Sequence, residues 1–116
     1  MFVVRNTGTL VYQYDLSTAW DVSTISFSTK YDVSDENQLR SLTFKPDGSR
    51  MYVTGNENEK IKEYSLSTPW DITTSNVTHV RDSVALTSTD NNPRNIQFSK
   101  EGTEFYYAGN GSNNMH

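Results

Sequence analysis

The chain has 116 residues, enough for about one small domain, of which only 34% are hydrophobic, and its mean hydropathy is -0.71. Ten basic against fourteen acidic residues give a net charge of -4 with no basic cluster, so a nucleic-acid partner is not expected. The absence of cysteine excludes a disulfide scaffold, thiolate metal sites and a cysteine nucleophile, and two histidines leave little for imidazole catalysis or zinc. No run approaches the ~18 consecutive apolar residues of a membrane helix, and the N-terminus lacks an apolar signal-peptide core, so membrane insertion is not expected. Ser, Thr and Asn fill 39 positions, but seven Tyr, five Phe and two Trp argue against disorder and for short strands with one wet face.

Phe2–Arg5 is an apolar strand at the start of the chain. Arg40–Phe44 alternates, with Leu42 and Phe44 on one face. Lys45-Pro46-Asp47-Gly48-Ser49 is a turn, because Pro presets φ and Gly accepts a positive one. Arg50–Thr54 forms the next strand, and Gly55-Asn56-Glu57-Asn58-Glu59 breaks it. Lys60–Leu66 alternates again, Asn76–Ala85 is a weaker strand, and Glu104–Ala108 repeats the pattern of Arg50–Thr54. No segment carries a 3.6-residue period, so no helix is expected.

The chain aligns with itself. At an offset of 50, Met1-Phe2-Val3-Val4 falls on Met51-Tyr52-Val53-Thr54, and Tyr14–Thr24 falls on Tyr64–Thr74 with seven of eleven residues identical. At an offset of 54, Arg40–Phe44 falls on Arg94–Phe98, Gly48 on Gly102, and Met51–Asn56 on Phe105–Asn110. The four extra residues of the second copy are expected in a loop between about Asp82 and Asn92. Four short strands per unit of about 50 residues describe a β-propeller blade, a four-stranded antiparallel sheet.

With strands lettered A to D from Arg40, the chain reads B-C-D, A-B-C-D, A-B. The expectation is an all-β fold of about two blades in a permuted cut. Residues 1–116 then form one unit, with repeats at about 1–50 and 51–104 and a further strand B at 104–110. A blade has two faces meant for neighbours. The chain is therefore expected either to be part of a longer propeller or to assemble with itself, a trimer giving a six-blade ring. In that ring Met1–Arg5 and Glu104–Ala108 compete for one strand-B slot. A sandwich of two small sheets is the competing architecture.

The segment Phe44-Lys45-Pro46-Asp47-Gly48-Ser49-Arg50-Met51-Tyr52-Val53-Thr54-Gly55 resembles the YVTN-type β-propeller repeat, in which a proline-aspartate-glycine turn precedes a tyrosine-valine-threonine strand. The second copy, Phe98 to Gly109, keeps the spacing but carries Lys100-Glu101 for Pro-Asp and Tyr107-Ala108 for Val-Thr. The longer unit, through Tyr64–Asp71, is similar to tandem repeats of phage structural and environmental proteins. The resemblance implies a propeller with many blades. It covers surface proteins, binding modules and lactonase-like enzymes alike, and an extracellular or virion-surface setting fits it.

Three sets of residues are candidates for chemistry. Trp20 and Trp70 would stack on a sugar while Asp21 and Asp71 accept its hydroxyls; alternatively each Trp fills a gap between blades and each Asp caps a turn, which repetition at a fixed position favours. Arg40 and Arg94, each at the start of a strand A, would hold a carboxylate or phosphate in a propeller's central channel. Pairing with Asp35, Glu36 or Asp90 is the preferred reading of both. Asp35, Glu36, Asn37, Asp90, Asn91 and Asn92 offer hard oxygen donors suited to Ca²⁺, but no spacing matches an EF-hand loop, so no metal or cofactor is assigned. His79, at the place of Thr29, has no evident partner. No serine stands in a nucleophile elbow, and no catalytic residue is assigned. The functional expectation is a non-catalytic module for binding or assembly; the alternatives are a carbohydrate-binding lectin with sites between blades and part of a lactonase-like hydrolytic propeller.

Overall fold

The computed structural model describes residues 1–34, 36–56, 59–86 and 93–109. Within them the alternating segments form nine strands: β1 (Phe2–Val4), β2 (Leu10–Leu16), β3 (Ile25–Asp32), β4 (Leu39–Phe44), β5 (Arg50–Gly55), β6 (Ile61–Leu66), β7 (Val77–Asp82), β8 (Pro93–Phe98) and β9 (Phe105–Gly109). Two single 3₁₀ turns, Val22–Thr24 and Thr74–Asn76, precede β3 and β7. The strands pair antiparallel in chain order into sheets of three (β1-β2-β3), four (β4-β5-β6-β7) and two (β8-β9). The all-β antiparallel reading holds, and no sheet closes on itself.

Successive side chains of a strand point to opposite faces, and the four-stranded sheet uses both. From β5, Met51 and Val53 enter a buried cluster with Val11 and Val33 of the three-stranded part, joined by Tyr64, Leu66 and Ile72. Tyr52, between them, turns the other way and packs with Ile61, Leu86, Ile96 and Tyr107 on the two-stranded side. Two hydrogen bonds stitch the layers. The Ile72 amide donates to Gln13 Oε1 at 3.1 Å, and the Ile96 amide donates to Ser41 Oγ at 3.1 Å. The fold is thus three stacked layers with the four-stranded sheet in the middle.

The register departs from plain alternation at two pairs of matching places. Between β4 and β5, Leu39 opposes Gly55 and Ser41 opposes Thr54, which leaves Arg40 as an unopposed bulge residue. Between β8 and β9, Pro93 opposes Gly109 and Asn95 opposes Ala108, so Arg94 is unopposed in the same way. The other two shifts fall at Gln13/Tyr14 and Glu63/Tyr64. Period-two patterning does not reveal such one-residue insertions, which re-aim a side chain and increase local twist.

These registers correct the sequence alignment. Tyr14 pairs with Phe27 and Tyr64 with His79, so His79 corresponds to Phe27 at an offset of 52, and not to Thr29. Two of the four extra residues therefore enter at the 3₁₀ turn before β7, and the other two lie beyond Asp82. The weaker strand expected over Asn76–Ala85 is the shorter β7.

Met51 is wholly enclosed while Val3 is half-exposed, which separates their roles. Met51→Ala is expected to lower unfolding free energy by about 2–5 kcal/mol and Val3→Ala by no more than about 0.5 kcal/mol, read from urea denaturation followed by circular dichroism.

Candidate functional site

Each Trp-Asp pair sits in a tight turn between consecutive strands. The Asp21 amide donates to the Thr18 carbonyl and the Asp71 amide to the Thr68 carbonyl, both at 3.2 Å. Closing these turns puts Trp20 at φ 67° and Trp70 at φ 65°, a left-handed backbone uncommon outside glycine. The following aspartate holds the turn. Asp21 Oδ1 accepts from the Ser23 amide at 3.0 Å and hydroxyl at 2.6 Å. Asp71 Oδ1 accepts from the Thr73 amide at 2.8 Å, and Asp71 Oδ2 from Asn76 Nδ2 at 2.8 Å. Asp47 treats Ser49 in the same manner. Hydrogen bonds to the ionised form lower a carboxyl's pKa. Those from Ser23 hold Asp21 below its ordinary value, and those from Thr73, with Asn76, do so for Asp71. The turn-cap reading of both aspartates accounts for these contacts.

The two tryptophans meet different fates. The Trp70 amide donates to the Gly48 carbonyl at 3.1 Å. Its indole lies on Gly48 so closely that a Cβ there would overlap the ring. Gly48 also takes φ +73°, so two independent constraints require glycine. Trp70 stands 5.2 Å from Phe44 and 6.5 Å from Phe2 between ring centroids, bridging the four-stranded sheet and β1. It fills a gap between sheets, as one reading of the sequence expected. Trp20 does not: it is 98% exposed against 44% for Trp70. The next position repeats the contrast, with Val22 70% exposed and its counterpart Ile72 fully buried.

Arg40 and Arg94 come together. Both line a cleft of about 350 Å³ walled by Phe2, Val4, Leu42 and Phe44, and both line a smaller adjoining cleft with Asn6 and Leu39. Among the described residues no acidic side chain lines either cleft. Arg40 Nη2 donates to Gln38 Oε1 at 3.4 Å, and its Nε is buried without a partner among the described residues. Among the described residues neither arginine forms an ion pair. The preferred expectation of pairing with Asp35, Glu36 or Asp90 is thus not met by Glu36, while Asp35 and Asp90 lie outside the described residues. The paired bulges are what bring the two guanidinium groups to one cleft.

The remaining candidates resolve simply. Glu36 is buried with its side chain over Gly55, where a Cβ would overlap it, and Asn37 is exposed. Asp90, Asn91 and Asn92 lie outside the described residues. Among the described residues no three His, Cys, Asp or Glu side chains cluster as a metal site. His79 does have a partner: its Nε2 lies 2.8 Å from Asp82 Oδ1. Burial tends to raise the Asp82 carboxyl, but the hydrogen bond from His79 and the charge of Lys62 outweigh it and hold the pKa below the ordinary value. Comparison with protein-family models, curated proteins and solved structures finds no match to this chain.

Gly48 and Gly102 share a turn conformation, φ +73° and +70°, but only Gly48 has an indole over it; nothing lies within 4 Å of a Cβ built at Gly102. Gly102→Ala is expected to cost about 1–2 kcal/mol, the left-handed backbone penalty alone. Gly48→Ala should cost clearly more, the difference reading the displaced Trp70, with denaturant unfolding by tryptophan emission as the assay. The pH dependence of Asp71 has a definite sign. Its folded pKa lies below the ordinary 3.8, so its contribution is full above that value and lost as pH falls through the lowered one. Asp71→Asn should therefore flatten the acid limb of thermal midpoints measured from about pH 5 to 2.

Proposed function

We propose that this chain is a non-catalytic β-propeller module, about two blades in a permuted cut, whose work is assembly or binding. The observation that carries the reading is the three-, four- and two-stranded order of its stacked sheets. The middle sheet has both faces covered, whereas the flanking layers are one strand and two strands short of it. Exposed Ile25 and Phe27 on β3, and Phe105 on β9, are apolar surface suited to further neighbours. A ring completed by copies of the chain, three being the number that makes six blades, meets that need; so does the remainder of a longer propeller.

A second feature supports a ligand. The Arg40–Arg94 cleft offers two guanidinium groups and, among the described residues, a buried Nε without a partner and no lining carboxylate, which suits a carboxylate or phosphate. The carbohydrate alternative keeps Trp20 as a free stacking face, but Asp21 and Asp71 already serve their own turns. For a hydrolytic reading, no three His, Cys, Asp or Glu side chains gather as a metal site among the described residues.

Light scattering on a size-exclusion column across a dilution series tests the assembly reading. A stable mass near three times 13.2 kDa is the expected result. A folded monomer at every concentration overturns self-assembly. For the cleft, inorganic phosphate should raise the thermal midpoint of the native chain and not that of an Arg40→Ala/Arg94→Ala variant.

A further inference from the structure

The seat of Trp70 occurs twice in this chain, and only one is taken. Phe2 and Phe44 have ring centroids 4.4 Å apart with planes tilted 41°, and Trp70 completes the group above Gly48. The positions that align with them, Tyr52 and Phe98, have centroids 4.5 Å apart and a tilt of 46°. Beside them Gly102 repeats the turn of Gly48 at φ +70°, with nothing within 4 Å of a built Cβ. Tyr52, Phe98 and Gly102 all line one hollow of about 350 Å³, which Phe44, Lys45, Pro46 and Asp47 line as well. The seat is therefore formed, aromatic walls and glycine floor together, and among the described residues no indole lines it.

The matching plug is also present. Trp20 lies in the same turn as Trp70, with the same left-handed backbone and the same aspartate cap, and is 98% exposed. We propose that the hollow between Tyr52, Phe98 and Gly102 is a socket for Trp20 of a second copy of this chain. The proposal rests on the assembly reading and names the contact that would carry it.

The occupied seat supplies the details. Its amide contact, Trp70 to the Gly48 carbonyl, becomes Trp20 to the Gly102 carbonyl of the second copy. Ile72, buried with its amide on Gln13 Oε1, has Val22 as its exposed counterpart, and the position matching Gln13 is Glu63, whose carboxylate is paired with Arg50 at 3.5 Å and Arg81 at 3.1 Å and would accept from the Val22 amide as well. An indole alone covers about 150–250 Å², far less than the roughly 1,200 Å² of a stable interface. The remainder comes from laying β2 along β9 as β6 lies along β5. In the filled seat the Leu66 amide meets the Ser49 carbonyl at 2.9 Å; the matching atoms are the Leu16 amide and the Thr103 carbonyl. That slot beside β2 is now held by β1, which pairs at only three residues. Association thus exchanges a short strand of one copy for β9 of the other while burying an exposed Trp.

Trp20→Ala removes the plug at a fully exposed position, and Gly102→Leu fills the socket at an exposed turn; circular dichroism establishes that each variant is folded. Expected in light scattering is concentration-dependent association of the native chain and at least about thirtyfold weaker association of either variant. Mixing the two variants should restore a complex of two chains and no more, because the mixture holds one intact plug and one intact socket per pair. Native association with shielding of Trp20 from acrylamide agrees with this. Association of Trp20→Ala equal to the native chain, or failure of the folded variants to pair when mixed, overturns the socket and leaves assembly through another surface. A native chain that stays monomeric overturns both.

Discussion

A strand that is apolar on alternate residues in both directions makes a sheet that needs a neighbour on each face, and this constraint organises the molecule. In β5, Met51 and Val53 face one way and Tyr52 the other. The four-stranded sheet consequently cannot stand as a surface layer. It lies between a three-stranded and a two-stranded sheet, held by close packing and by two amide-to-side-chain hydrogen bonds that satisfy donors which would otherwise be stranded at the layer boundaries. The outer layers inherit the same demand. The exposed Phe27, Val22, Trp20 and Phe105 are its visible form.

Local strain and tertiary packing meet at Trp70. Its left-handed backbone costs free energy that most residues avoid, and the turn is kept by Asp71 and by the seat over Gly48. Glycine is required there both for φ and for space, so a turn residue and a layer-bridging residue depend on one another across 22 positions of sequence. Trp20 keeps the strained backbone and the aspartate cap without the seat. The turn therefore forms from local chemistry, while the packing is a separate event.

The arginine cleft arises from another coincidence of local and tertiary structure. Each bulge leaves one residue unopposed, and in both β4 and β8 that residue is arginine. Stacking β8 against the four-stranded sheet then places Arg40 and Arg94 on one cleft that no acid among the described residues lines. Like charges gathered in this way repel unless an anion or solvent screens them, which gives the cleft its electrostatic character.

Much was legible from sequence because the relevant forces are local. Alternation located β4, β5 and β6, Pro46-Asp47-Gly48 marked the turn before β5, and self-alignment anticipated strands grouped three, four and two along the chain. It also singled out both tryptophans, both aspartates and both arginines. What it left undecided depends on partners distant in the chain. Two residues inserted in the turn before β7 leave no mark on the hydrophobic period, so the alignment placed His79 two residues away from its true counterpart, and it missed the bond to Asp82. Whether an identical Ser-Thr-x-Trp-Asp turn buries or exposes its indole was settled only by whether a glycine floor and an aromatic wall come to lie beneath it. Trp70 has Gly48 and Phe44 from its own sheet and Phe2 from the adjoining one; Trp20 has none. Sequence determined the turn, and tertiary structure alone decided its burial, because burial is a property of the neighbour as well as of the residue.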